Sequence, residues 1–367
     1  MSNSPEPVAQ YKATPLWPWL VASAVFFVTG LVLLRPESSE VQSRPVISSA
    51  SPVETQDLAI PQEQGTFRFA CVDSPQSTFA KSLLDFGKAV EAKTQGRVKI
   101  EVCPSGKIGQ TRLDELGIVQ GVRQGKVSFG LVTCSPLSNM SPSLEVMDLP
   151  FLFRDYQHAD KILLGQVGAK ILSSLNGSGV VGLATFEVGF RIFSSNTPIR
   201  SMEDFHGKKL RVMQSAAAIS MVRMVGGEAV PSPVDKILMM AKEGYIDAAD
   251  RTYPTYWDFK LYEVHHYIAD TRHSYTAKIA LASDRAWSTI QPEDRKIVLE
   301  ELHRIEITQR KLQRQEDLDV KKKCQERGIE IHEFSASERE KVARACLPLY
   351  TEYKELNGSK LLDQIRR

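Results

Sequence analysis

The sequence predicts an α/β protein of two halves, and three observations predict it. Runs of β-forming residues alternate with helical periods from Phe67 onward, and the same order starts again after Gly179. Two arginines, Arg191 and Arg211, stand inside such strand-like runs, where a charge is costly.

Phe67-Arg-Phe-Ala-Cys-Val reads as a strand. Phe79 to Thr94 places Leu83, Leu84, Phe86, Ala89 and Val90 on a helical period, Gln95-Gly96 ends it, and Arg97 to Cys103 alternates as a second strand. A third unit has a helix over Arg112 to Gln124, a break at Gly125 and a strand over Val127 to Thr133. Strand, helix, strand at this spacing predicts parallel strands with right-handed crossovers.

In the second half, Val180 to Thr185, Phe190 to Ser194 and Lys209 to Met213 read as strands, Ala216 to Val225 as a helix, Ala229-Val-Pro as strand-like and Val234 to Glu243 as helical. Pro292 to Lys323 is a long, charge-laced helical pattern with a break near Ile307. Lys321-Lys-Lys within it fits solvated surface. Gly328 to His332 is a short strand, and Ala336 to Tyr353 a closing helix whose Ser335 and Glu338 fit a capping box. Sheets of this kind bind ligands beyond the carboxyl ends of their strands. Arg191, Arg211 and the loops Cys71–Pro75, Cys103–Gly106 and Cys134–Asn139 are therefore candidates for a cleft.

A buried guanidinium without a partner costs about 3–5 kcal/mol. A ligand carboxylate held by the planar fork offsets that cost and fixes the ligand's orientation. The alternative is that each arginine pairs with an Asp or Glu of the protein itself.

The 367 residues carry Lys+Arg 46 against Asp+Glu 44, which fits a soluble body of about two domains and excludes a nucleic-acid binder. The N-terminus differs in kind. After a polar segment over 1–15, the run 16–34 is almost unbroken apolar sequence with Trp17 and Trp19 near its start, long enough to cross a bilayer. An uncleaved signal anchor is expected. A cleavable signal peptide fits less well, because no small-x-small site follows the run and no lipobox cysteine stands near it. Residues 35–65 are rich in Ser, Pro, Glu and Gln and read as a flexible linker.

Cys71, Cys103, Cys134, Cys324 and Cys346 match no zinc spacing, and no metal or cofactor is expected. Two of the first three could bridge, as could Cys324 and Cys346; the alternative is five small buried thiols. Catalysis has little support. Gly-x-Ser-x-Gly, His-Glu-x-x-His and a phosphate loop are all missing, and nothing places Cys71 or Cys134 beside His265, His266 or His273.

Six motifs in order carry a resemblance: Gly96-Arg-Val-Lys-Ile-Glu-Val, Asp148-Leu-Pro-Phe-Leu-Phe-Arg-Asp, Gly189-Phe-Arg, Lys209-Leu-Arg-Val-Met, Gly244-Tyr-Ile-Asp and Tyr262-Glu-Val. From about Phe67 to Tyr353 the chain resembles the DctP-like, dicarboxylate-binding extracytoplasmic solute-binding proteins of tripartite ATP-independent periplasmic (TRAP) transporters. The resemblance implies a two-lobed periplasmic-binding-protein fold with a ligand cleft between the lobes and a long lobe-spanning helix near 292–323. Lobe I would comprise 66–188 and 277–316, and lobe II 189–276 and 317–367. It also implies a protein that is no enzyme, stands in the periplasm, closes on a small organic acid and hands it to TRAP membrane subunits. With the expected anchor, the body would be tethered to the inner membrane, and a ligand-sensing subunit of a signalling receptor is the alternative role.

By the same resemblance, Arg211 matches the main carboxylate-binding arginine and Arg191 a second that assists it. Where family members carry Gln-Glu-Asn-Pro, this chain has Ala249-Asp250-Arg251-Thr252. A positive group thus replaces a neutral amide. Either the ligand has a second acidic group, or Asp250 or Asp148 neutralises Arg251. Cys71 and Cys134 occupy cleft-facing strand ends in the family pattern, Tyr253 is close enough to Arg251 to pack on a ligand, and Asn139 and Arg112 are first-lobe candidates for its polar groups.

Overall fold

The structure, a computed structural model, describes residues 65–138 and 140–367. The expected signal anchor and linker, and the candidate Asn139, lie outside the described residues. No helix among the described residues is long and apolar enough to cross a membrane.

Two sheets organise the described body. The first holds five strands in the order β2-β1-β5-β12-β6: β1 Thr66–Cys71, β2 Lys99–Cys103, β5 Phe129–Thr133, β6 Val180–Phe190 and β12 Tyr275–Ser283. The second holds six in the order β13-β11-β7-β10-β8-β9: β7 Ile192–Ser195, β8 Lys209–Val212, β9 Glu228–Pro231, β10 Ala248–Arg251, β11 Tyr267–Asp270 and β13 Glu330–Glu333. A small hairpin pairs β3 Lys107–Ile108 with β4 Thr111–Arg112.

The parallel pairs are those the strand and helix spacing predicts. β1 lies parallel to β2 and β5, and β8 lies parallel to β9 and β10. Antiparallel pairs arise where the chain changes sheets. β6 ends at Phe190 in the first sheet and β7 begins at Ile192 in the second, so Arg191 alone spans the crossing. The return runs from Asp270 to Tyr275, and Arg191 N donates to Ser274 O at 2.8 Å, holding the two crossings side by side. The β6–β12 register shifts here, with Thr276 opposite Gly189 and Ala277 opposite Glu187. The extra residue bulges the strand, and Gly189 at φ +104 takes a backbone shape that side chains resist.

The long helix Pro292–Glu326 runs 35 residues without the expected break at Ile307. Its apolar period does stop there, because Val298, Leu302 and Ile305 give way to Glu306, Gln309, Arg310 and Gln313 as the buried face. These polar side chains act as a further strand beside the edge strand β6. Thr185 N donates to Glu306 Oε1 (2.8 Å), Glu187 N to Gln309 Oε1 (2.9 Å), Gln309 Nε2 to Glu187 O (2.8 Å) and Arg310 Nη2 to Thr185 O (3.2 Å). The helix thereby satisfies backbone groups that would otherwise be buried and unpaired.

Other boundaries moved for local reasons. The second helix is Glu115–Arg123, because the Asp114 side chain accepts from Gly117 N as its cap, and this leaves Arg112 in β4. The expected helix over Val234 to Glu243 is a 3-10 turn, Val234–Lys236, followed by Ile237–Lys242. The closing helix is two helices, Ala336–Ala345 and Leu347–Asn357, with Pro348 in the first turn of the second, and Lys360–Arg366 follows. Only half the capping box forms. Ser335 Oγ accepts from Glu338 N, but the Glu338 carboxylate accepts from Met202 N and Lys341 Nζ. Lys321 is half-buried and bonded to Asp270 and Glu333, unlike its exposed neighbours Lys322 and Lys323.

Candidate functional site

Strand register places the three arginines. Arg211 on β8 is level with Ala249 on the parallel neighbour β10. Side chains alternate along a strand, so Arg211, Ala249 and Arg251 project from one face of the second sheet and Asp250 from the other. Asp250 stands there with Phe193, Met221 and His273 around a narrow cavity.

Arg191 is committed within the protein. Its Nε lies 2.5 Å from Asp250 Oδ1, its Nη2 2.9 Å from Asp250 O and its Nη1 3.3 Å from Thr276 Oγ1. His273 Nε2 lies 3.2 Å from the same carboxylate oxygen, with its ring stacked on Phe193. Burial alone would raise the Asp250 carboxyl, but the Arg191 charge and then His273 outweigh it and hold it below the usual carboxylate range.

Arg211 meets only backbone oxygens. Nε and Nη2 donate to Ser232 O at 3.0 and 2.5 Å, and Nη1 to Asp250 O at 3.3 Å. Burial pushes this guanidinium down to about 9, Arg191 adds to the shift, and Asp250 opposes it. Arg251 is 1% exposed and has less. Nη1 donates to Thr255 O at 3.3 Å and the group stands over the Phe259 ring, while Nε and Nη2 are buried without a partner. Burial, then the Arg211 and Arg191 charges, push Arg251 well below its ordinary value. Among the described residues the ion pairs include a carboxylate for Arg191 and none for Arg211 or Arg251.

The first sheet contributes polar groups at its own carboxyl ends. Past β1, Asp73 binds Lys278 Nζ through both oxygens, at 2.5 and 2.6 Å, and Lys278 lies over the Phe79 ring. At the end of β5, Glu115 accepts from Thr133 N (3.0 Å) and Oγ1 (2.5 Å), and burial raises its carboxyl. Asp148 joins the two sides. One oxygen accepts from Ser135 Oγ at 2.7 Å, after β5, and from Ser215 Oγ at 2.9 Å, after β8. Burial raises the Asp148 carboxyl against these two bonds.

Of the remaining candidates, Cys71, Cys134 and Tyr253 lie beside groups already described and Arg112 does not. Arg112 is exposed on the hairpin. Cys71 is fully buried in the apolar cluster under the first sheet, where burial pushes its thiol up to about 12. Cys134 is buried with Sγ 3.5 Å from Ala277 O. Tyr253 donates its hydroxyl to Asp270 Oδ2 at 3.0 Å and packs in the cluster that holds Ala249, on the face from which Arg211 and Arg251 project. All five cysteines are buried free thiols, so neither possible bridge forms. The thiol and imidazole pairing is not formed either: His265 bonds to Ser194 and His273 to Thr271 and Asp250. Sequence reading did not find the part of Thr276, His273 or the Ser232 carbonyl. A backbone acceptor leaves no mark on residue identity, and Asp148 was weighed only as a counter-ion of Arg251, whereas it accepts from Ser135 and Ser215.

A two-domain α/β fold, with buried arginines at the carboxyl ends of parallel strands in its second sheet, fits a solute-binding protein. The chain belongs to the DctP family, bacterial extracellular solute-binding protein family 7, whose model matches residues 69–356. It is similar to the TRAP periplasmic solute-binding protein of Xanthobacter autotrophicus Py2 solved with β-D-galacturonate, at 28% identity and TM-score 0.76 over 82% of this chain and 99% of that one. It is also similar to the sugar acid binding protein DctPAm of Advenella mimigardefordensis solved with galactonate, at 27% identity and TM-score 0.77 over 83% of this chain and 98% of that one. Among curated relatives, the C4-dicarboxylate-binding protein DctB of Bacillus subtilis is 25% identical over 309 residues, 83% of this chain and 86% of that protein.

Proposed function

We propose that this protein captures a small organic acid between its two sheets, with the ligand's carboxylate on Arg211, and delivers it to TRAP membrane subunits. The observation that carries the reading is the buried guanidinium of Arg211, which meets three backbone contacts and no carboxylate. Arg191, bonded to Asp250, acts as a positioning residue that fixes the chain crossing and adds positive potential to the site. The relatives and solved structures named above support the ligand class, since they bind galacturonate, galactonate or C4-dicarboxylates. They are binding proteins, which supports a non-catalytic role. The TRAP binding proteins among them favour delivery over sensing.

Closure about the two crossings, at Arg191 and at 271–274, would bring Lys278, Asp73 and Glu115 over the ligand, and the ligand's extra contacts in the closed form would set the balance. In this reading the body works outside the cytoplasm, and the apolar run 16–34 keeps it beside its membrane partner.

Calorimetric titration of the purified protein with galacturonate, galactonate and C4-dicarboxylates tests the capture. Saturable binding of at least one acid, lost when its carboxylate is replaced by an amide, is expected. Equal binding of acid and amide would exclude the site. Deleting the membrane subunits should abolish uptake of that acid, and intact mass from membranes tests retention of residues 16–34.

A further inference from the structure

We propose that Arg251 is a specificity-determining residue that takes a second ionised group of the ligand, so that the site selects doubly charged acids over singly charged ones. The inference rests on the acid-binding reading above and names the ligand's charge.

The first observation is position. Arg211 is level with Ala249, and Arg251 is two residues further along the same strand on the same face. Strand spacing and rise put their Cα atoms roughly 8 Å apart, within reach of one small molecule for two long side chains. Both lie at the carboxyl ends of parallel strands, where ligands enter such sheets.

The second observation is the state of the Arg251 head. Nε and Nη2 are buried and meet no acceptor, and Nη1 has one long bond to Thr255 O. Buried donors without partners are rare, and on a cation they are costlier than on a neutral group.

The third observation is the charge inventory. Asp250 points to the opposite face and is held by Arg191 and His273. Asp148 accepts from Ser135 and Ser215. Asp73 is held through both oxygens by Lys278, and Glu115 by Thr133. Among the described residues no carboxylate forms an ion pair with Arg211 or Arg251, and Asp250, the acid whose charge reaches both, is already taken. One ligand carboxylate offsets one guanidinium and leaves the other buried and unmatched. A dianion meets both, and burial of each charge then becomes favourable through bidentate contact.

The test is competitive titration of the full-length protein with matched pairs: galactarate against galactonate and galacturonate, and succinate and malate against their monoamides. The expected result is at least tenfold tighter binding of a diacid than of its singly charged partner. In Arg251→Asn, which restores a neutral amide, that ratio should fall toward one while thermal unfolding stays cooperative. Arg251→Lys, keeping the charge without the fork, should give an intermediate ratio and serves if the asparagine variant does not fold. A singly charged acid that binds wild type as tightly as any diacid would overturn the role of Arg251 and leave the acid-binding reading intact. So would an unchanged ratio in the variants. Failure of both classes to bind would overturn the acid-binding reading, and this inference with it.

Discussion

Arg191 Nε lies 2.5 Å from Asp250 Oδ1, so the arginine at the chain crossing brings its own counter-ion from the neighbouring strand. Asp250→Asn should therefore strand a buried guanidinium beside Arg211 and Arg251. The expected loss is about 3–5 kcal/mol of stability, read as a lower midpoint in urea. A variant as stable as wild type would show that water already reaches Arg191.

Gln309 exchanges both ends of its amide with the backbone of Glu187. Gln309→Leu keeps the volume but leaves a buried N–H and a buried C=O unpaired, at about 1–3 kcal/mol each. Denaturant unfolding should register a loss of about 2–6 kcal/mol, against less than about 1 for the exposed Gln315→Leu.

Asp317 lies at the same crossing on the long helix, where its Oδ2 accepts from Tyr156 Oη at 2.8 Å and its Oδ1 is buried without a partner. Burial pushes this carboxyl up to about 7; the Tyr156 bond opposes the shift, and Glu187, Glu316 and Asp270 add to it. A folded value above the unfolded one means that the folded state holds the extra proton. The stability this contributes is fully present below about pH 4 and is lost as pH rises through about 7. Asp317→Asn should flatten that slope and raise the melting temperature relative to wild type at pH 8 more than at pH 5. Parallel pH profiles of melting temperature would refute the assignment.

The five thiols are buried, and burial raises each of them, Cys103 and Cys324 to about 11 and Cys346 to about 12. An aromatic disulfide reagent at pH 8 should titrate almost none in the native protein and five after unfolding without reductant. Recovery of three or fewer under those conditions would mean that a bridge forms.

Parallel order was legible because helical periods of the right length separate β1, β2 and β5, and that spacing admits little else. The unbroken long helix was not, since its apolar period fails where Glu306 and Gln309 serve the backbone of β6, and a buried polar face looks like an interruption. Arg191 and Arg211 could be read as misplaced charges, whereas Arg251 stood out only against the pattern of the family the chain resembles. That Asp250 would face away from Arg251 follows from alternation on β10, but its choice of Arg191 depends on a neighbouring strand far off in sequence. Cys71, at a strand end, was read toward the cleft; it is buried in the cluster that holds Phe69, Phe86 and Phe129 and stands beside Asp73 and Lys278.

Arg211 is held by carbonyl oxygens alone, so its removal orphans no charge, unlike loss of Asp250. The most direct measurement pairs calorimetry with unfolding for Arg211→Ala. The prediction is an affinity for the bound acid weaker by about 3 kcal/mol or more, in a variant that still unfolds cooperatively without ligand. Unchanged affinity in a folded variant would contradict the account.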